Sequence, residues 1–262
     1  VSLIAVLFVV PLVWMLLSSL KTAPEVFARP FHWLPAKAQW QNYATVWMNE
    51  EASMLRAFAN TLYIALFSIV GQMFISSLAA YFFAKINFKG KQVVFMLFLS
   101  SMMVPSQWTI IPRFMLFKTI GLYNNLWAII LPAFFGATSI FMLRQFYMGL
   151  PNDLIEAAKI DGAGHLRIFL RIMLPLTKAA LMSLIILAFI SSWNEYMAPL
   201  IFLVKKELYT VSQNIQWYML DEFKEHNLTM AAATSAIVPV VILFIVGQKY
   251  FVEGIATSGV KG

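Results

Sequence analysis

Apolar runs dominate the order of residues. They fall at 2–20, 60–84, 92–111, 124–146, 179–204 and 230–251, with polar connections between them. As an α-helix each run is long enough to cross a hydrocarbon core of about 30 Å. The first has no basic residue before it and no small-x-small cleavage site after it, so it reads as a span and not as a signal peptide. Pro105 is expected to break the third run and Pro112 to close it, and residues 114–123 form a partly helical connection. Pro132 lies inside the fourth run, and Pro199 lies near the end of the fifth. Residues 21–56 form a long polar loop with Trp33, Trp40, Tyr43 and Trp47, aromatics that suit a membrane interface. A second long polar loop occupies 205–229, and a short tail follows from 252. The predicted fold class is all-α, a polytopic membrane protein with six transmembrane helices.

Composition agrees with this pattern. Of 262 residues, 61% are hydrophobic and 12% charged, against about 25% charged in a soluble domain. The net charge of +7 therefore points to membrane-flanking loops and lipid headgroups before nucleic acid. There is no Cys, which excludes disulfides and thiolate metal sites, and His32, His165 and His226 are too scattered in sequence to suggest a metal cluster. Six spans place both termini on one side. Basic residues are nearly even between the two sides, but Lys85, Lys89 and Lys91 crowd one short turn and others crowd 151–175. That density makes the side with both termini cytoplasmic.

Residues 151–175, PNDLIEAAKIDGAGHLRIFLRIMLP, form the longest polar interruption between apolar runs in the second half. Pro151 suits a first helical position, and Asn152 and Asp153 place polar and negative groups at the positive end of the helix dipole. Asp161-Gly162 stops this helix, because Gly accepts the left-handed conformation after a C-cap. A second short helix runs from about 164 to 173 and ends where Pro175 disfavours helix at Leu174. Its apolar stripe is Leu166, Phe169, Leu170 and Met173, while Arg167 and Arg171 share another face. A DNA-binding helix-turn-helix is the bland alternative. It lacks a third apolar helix to build a domain, because both flanks are membrane runs.

The spacing of Glu156-Ala157-Ala158, Gly162, Ile172 and Leu174-Pro175 resembles the EAA loop of membrane subunits of binding-protein-dependent ABC importers. Further residues resemble the carbohydrate branch, on the side similar to the maltose permease G protein. They are Pro105, Ile111-Pro112-Arg113-Phe114, Gly121-Leu122-Tyr123-Asn124-Asn125, Trp193-Asn194-Glu195-Tyr196, Gly254 and the ending Gly259-Val260-Lys261-Gly262. The resemblance covers about residue 56 onward and departs at Ala179, where many relatives carry a second Pro. It implies the ABC importer type I permease fold. It divides the chain into 1–55, the first transmembrane helix and an extracytoplasmic loop, and 56–262, a permease core with the coupling loop 151–175. It implies a multi-pass subunit of the cell inner membrane that passes on a sugar or oligosaccharide. Implied partners are a second permease, two cytoplasmic ATPases and an extracytoplasmic solute-binding protein. ATP and Mg belong to the ATPases, since this chain has no G-x-x-x-x-G-K-[ST] loop. No cofactor and no enzymatic activity are expected in this chain.

Site residues follow with their alternatives. In the coupling loop the resemblance selects Glu156, Ala157, Ala158, Asp161, Gly162, Leu166, Phe169 and Pro175. Glu156 is otherwise a solvated acid, and Leu166 and Phe169 otherwise pack on the chain's own spans. Glu195 interrupts an apolar stretch, and an ionisable group there is a functional candidate by default. With Ser192, Trp193, Asn194 and Tyr196 it is a candidate wall of the substrate path. Positions 192, 195 and 199 are expected on one helical face. The alternatives are a structural hydrogen bond for Glu195 and an aromatic belt for Trp193 and Tyr196. Gln72, Ser76 and Ser77 read as polar glue between spans. Gln213, Asn214, Gln216 and Trp217 are expected to contact the binding protein. Rival functions are an importer of amino acids, phosphate or osmolytes, and an intramembrane enzyme, which the isolated Glu195 does not furnish.

Overall fold

A computed structural model describes residues 2–220 and 225–259. The tail residues Val260, Lys261 and Gly262 lie outside it, as do 221–224 of the second polar loop. The described secondary structure is helical throughout. The order opens with α1 (Ser2–Ser18), α2 (Ala23–Val26), α3 (Gln41–Met48) and α4 (Met54–Lys85). It continues with α5 (Lys91–Ser100), α6 (Ile110–Thr119), α7 (Trp127–Ala133) and α8 (Ala137–Met148). The coupling-loop region holds α9 (Asp153–Ile160), α10 (His165–Ile168), α11 (Leu174–Leu176) and α12 (Lys178–Trp193). The chain then forms α13 (Met197–Phe202), α14 (Val211–Tyr218) and α15 (His226–Gly259).

Among the described residues, three helical segments are long and apolar enough to cross a membrane: Met54–Lys85, Trp127–Met148 and His226–Gln248. Two bent pairs bring the number to five if each is one span. Lys91–Met103 with Gln107–Thr119 bends by 87°, and His165–Leu176 with Lys178–Trp193 bends by 76°. A shorter apolar helix, Leu7–Ser18, lies within α1.

Prolines account for most departures from the expected boundaries. Pro112 does not close a span. It sits in the first turn of α6, where its missing N–H would be unpaired in any case. Pro132 lies within α7, and the interruption falls just beyond it at 134–136. There a Cβ on Gly71 or Gly136 would collide with Phe134 or Gln72 respectively, so glycine permits the close approach. Nor does the helix stop before Pro175. A π-helical turn over Phe169–Met173, in which the Leu174 N–H reaches the Phe169 carbonyl, carries the chain into α11.

The chain divides into two compact units. One comprises 1–63, 124–126 and 193–243, and the other comprises 64–123, 127–192 and 244–262. In the second unit the core gathers Met73, Tyr81, Leu143, Tyr147, Ile168, Phe169 and Met173, so the second half of the loop 151–175 is built into it. In the first unit, buried amides hold the connections. The Asn42 amide donates to the Ser19 and Lys21 carbonyls at 2.8 and 2.9 Å and accepts from Asn227 at 3.0 Å. Trp47 donates its indole N–H to Ser235 at 3.1 Å and lies against Phe58.

Candidate functional site

The coupling loop begins at α9, with Asp153 and Glu156 in its first turn. Asn152 does not cap its own helix. Its Oδ1 instead accepts from Lys85 Nζ at 2.7 Å, and the same ammonium donates to the Leu150 carbonyl at 2.6 Å. The end of α4 thereby grips the entry of the loop. Helix α9 closes in a Schellman arrangement. The Gly162 N–H donates to Lys159 and the Ala163 N–H to Ala158, with Gly162 at φ +77°. The expected stop at Asp161-Gly162 is therefore made by backbone bonds that need a left-handed residue.

Past the hinge, the expected stripe splits. Phe169 is 1% exposed and stacks on Tyr81 with ring centroids 5.5 Å apart, and Met173 is buried. Leu166 and Leu170 face outward, Leu166 at 66% exposure, and Ile168 takes the inward place. The sequence alternative for Phe169, packing on its own spans, is the one observed. Tyr81 also exchanges a hydrogen bond with His165 Nδ1 at 3.1 Å, fixing the second half of the loop to α4. Glu156, Ala157 and Asp161 are exposed, Ala158 is buried and Pro175 is exposed. Ile160, 87% exposed, was not singled out from the sequence. The signal was there: 156, 157 and 160 are three and four apart and share a helical face. The resulting surface carries Glu156 beside outward-facing Ile160 and, past the hinge, Leu166.

The fifth run departs most from expectation. Helix α12 ends at Trp193, residues 194–196 are not helical, and α13 starts at Met197. The physical reason is Pro199, whose ring would strike the carbonyl of residue 195 in a continuous helix. Positions 192, 195 and 199 therefore do not share a helical face. Glu195 Oε1 accepts the Ala198 N–H at 3.0 Å and so caps α13. Trp193 is buried, with its indole N–H donating to the Ala236 carbonyl at 3.0 Å and its ring edge-on to Phe58. It is thus a packing residue of its unit. Ser192, Glu195 and Tyr196 are half-buried and Asn194 is exposed.

The far end of α13 is clamped by two amides. Gln213 Nε2 donates to the Pro199 and Leu203 carbonyls, both at 3.2 Å, while its Oε1 accepts the Thr210 N–H at 3.1 Å. Asn124, at φ 58°, donates its N–H to the Phe202 carbonyl at 2.9 Å and accepts from the Val204 and Lys205 N–H groups at 3.0 Å each. Asn214 is buried and donates to the Ser53 carbonyl at 3.0 Å. Gln213 and Asn214 are therefore buried inside the unit, where their amide nitrogens serve its own carbonyls; Gln216 is exposed and Trp217 half-buried. Burial pushes the Tyr218 hydroxyl up to about 12, and it donates to the Ala52 carbonyl at 3.0 Å. Lys206 meets Glu51 at 2.7 Å, a contact that raises the Lys206 pKa.

Broken apolar helices with a hinged polar loop built into their core define a polytopic transport subunit. This chain belongs to the family described as binding-protein-dependent transport system inner membrane component, which it matches over residues 72–257. It is 34% identical over 261 residues to the arabinooligosaccharides transport system permease protein AraQ of Bacillus subtilis (strain 168), covering 99% of this chain and 92% of that protein. It is 30% identical over 264 residues to the sn-glycerol-3-phosphate transport system permease protein UgpE of Pectobacterium atrosepticum, covering 98% and 93%. In fold it is similar to a chain of a bacterial ABC transporter involved in the import of the acidic polysaccharide alginate, with a TM-score of 0.85 and 24% identity over 95% of this chain and 93% of that one.

Proposed function

We propose that this chain is a six-span permease subunit of an ATP-driven importer of a sugar or oligosaccharide. The six spans are α1, α4, the α5–α6 pair, α7–α8, α12 with α13, and α15, with both termini cytoplasmic. A second permease completes the path, an extracytoplasmic binding protein delivers the solute, and two cytoplasmic ATPases hold ATP and Mg. The observation that carries the reading is the loop at 151–175. Its inner side is locked to α4 by Lys85, Tyr81 and Phe169, while Glu156, Ile160 and Leu166 face outward. A segment fixed so firmly on one side transmits displacement as a rigid body, and its outward face suits a cleft in the ATPase. The choice of a carbohydrate rests on the likeness to AraQ along nearly the whole chain.

The experiment is uptake into proteoliposomes holding the complete complex and its binding protein. A panel of pentose and hexose oligosaccharides is offered beside sn-glycerol-3-phosphate. ATP-dependent accumulation of at least one oligosaccharide is expected. Accumulation of the glycerol phosphate alone would defeat the carbohydrate reading and leave the importer reading intact.

A further inference from the structure

The connection between α1 and α4 is built with polar groups inward and aromatic groups outward. Lys21 is 1% exposed; its Nζ donates to the His32 carbonyl at 2.5 Å and lies 5.2 Å from the centre of the Phe31 ring. Glu25 accepts the Thr22 and Ala36 N–H groups at 2.8 and 3.4 Å. The Thr22 backbone bond is the main reason its carboxyl lies below the usual range. The Gln39 N–H donates to the Leu20 carbonyl at 2.9 Å. These bonds frame 27–39 against the end of α1. On that frame Phe27, Phe31, Trp33 and Leu34 are turned outward, Phe27 at 60% and Leu34 at 71% exposure. A loop meant for water would show the reverse arrangement.

A second observation says what covers these side chains. The Phe27 ring lies 6.2 Å from Trp14 of α1 and 5.0 Å from His226 at the start of α15. Trp14 is a full turn before α1 ends at Ser18. The loop thus folds back to the level of a helix that exposes Leu12, Val13 and Leu16. An apolar surface continuous with that helix lies at the depth where aromatic side chains concentrate in membrane proteins. Arg29 and Lys37 are exposed on the same loop, with stems long enough to reach phosphate headgroups.

We propose that 27–34 is an interfacial wedge whose Phe27, Phe31, Trp33 and Leu34 side chains insert among the headgroups and upper acyl chains of the outer leaflet. The leaflet named rests on the topology proposed above; the lipid contact does not. The wedge would fix the height and tilt of α1 in the bilayer. Of the four aromatics expected at an interface, Trp33 belongs to the wedge and Trp40 is exposed beyond it, while Tyr43 bonds to Ser19 and Trp47 to Ser235.

The test uses the complete importer in phospholipid nanodiscs. This chain has no Cys, so Trp33→Cys, Leu34→Cys and Lys37→Cys can each carry one spin label once partner cysteines are removed. Oxygen, which partitions into lipid, and a water-soluble nickel chelate are compared as relaxing agents. The expected result is oxygen accessibility above nickel accessibility at 33 and 34, and the reverse at 37. Nickel above oxygen at 33 and 34 means the loop faces water and overturns the wedge. Exclusion of both reagents, or immobilisation of the labels when loaded binding protein is added, means a protein covers it and also overturns it. Sugar uptake by the same labelled complexes is read separately. A lipid signal without uptake would sink the functional reading and leave the wedge standing.

Discussion

Gly162 carries a constraint that none of its neighbours imposes. A Cβ there would meet nothing within 4 Å, yet φ is +77°. The demand is conformational, so residues should rank by tolerance of the left-handed region and not by size. Gly162→Val is expected to strain the loop by about 1–2 kcal/mol and to abolish coupled uptake. Gly162→Asn is expected to retain most of it, since Asn enters that region readily. Equal uptake by both variants in proteoliposomes would show that the Schellman turn is dispensable. Tyr218 makes a pH-dependent prediction. Its folded pKa of about 12 exceeds its ordinary value of 10.0. The unfolded chain therefore loses the proton first, and the stabilisation is complete below pH 10 and is lost as the pH rises toward 12. Tyr218→Phe should melt lower at neutral pH, by about 1 kcal/mol for the lost bond to Ala52, and should show a shallower decline between pH 10 and 12. Parallel declines in scanning calorimetry would exclude Tyr218 as a contributor.

Helix α13 is short and interrupts the fifth run, and its neighbours hold both of its ends. Glu195 serves its start through one oxygen, a duty that an amide oxygen can perform equally well. Glu195→Gln is therefore expected to transport normally and Glu195→Ala to lose activity. Loss in the Gln variant would mean that the negative charge itself acts on the path. At the other end, Gln213→Leu would strip the Pro199 and Leu203 carbonyls of a donor and leave the Thr210 N–H without its acceptor. A thermal-stability loss of about 1–3 kcal/mol is expected for buried groups left unpaired. Exposed Gln216 should behave otherwise: Gln216→Ala should leave stability intact and, if α14 meets the binding protein, should lower stimulation of ATP hydrolysis by loaded binding protein.

At the scale of the whole molecule, the coupling proposed for the loop 151–175 rests on its continuity with the core of its unit. Ile160→Ser with Leu166→Ser removes two outward apolar groups, 87% and 66% exposed. The subunit should fold with unchanged melting, yet recover less ATPase on co-purification. Unchanged recovery would place the ATPase contact elsewhere.

The all-helical character of the apolar runs was legible in one dimension, because a helix in lipid must be apolar over its length and backbone groups must be paired locally. The turn at Gly162 was legible for a similar reason: left-handed backbone is a property of one residue and its nearest bonds. What the sequence left open was the direction in which side chains point. Leu166 and Phe169 are three apart on one predicted stripe, but only Phe169 reaches Tyr81, while Leu166 stays outward. Gln213 and Asn214 read as exposed polar residues of a loop, but the carbonyls they serve lie at α13 and, far away in sequence, beside α4. Glu195 read as a group facing a path. Pro199 breaks the helix, and the carboxylate turns to the backbone N–H the break leaves unpaired. Hydrophobic order along the chain settled where the long apolar helices fall, but not the short helices α2, α3 and α14 within the polar loops. Only the packing of those helices decided which of their polar groups were already used within the fold and which were left for a partner.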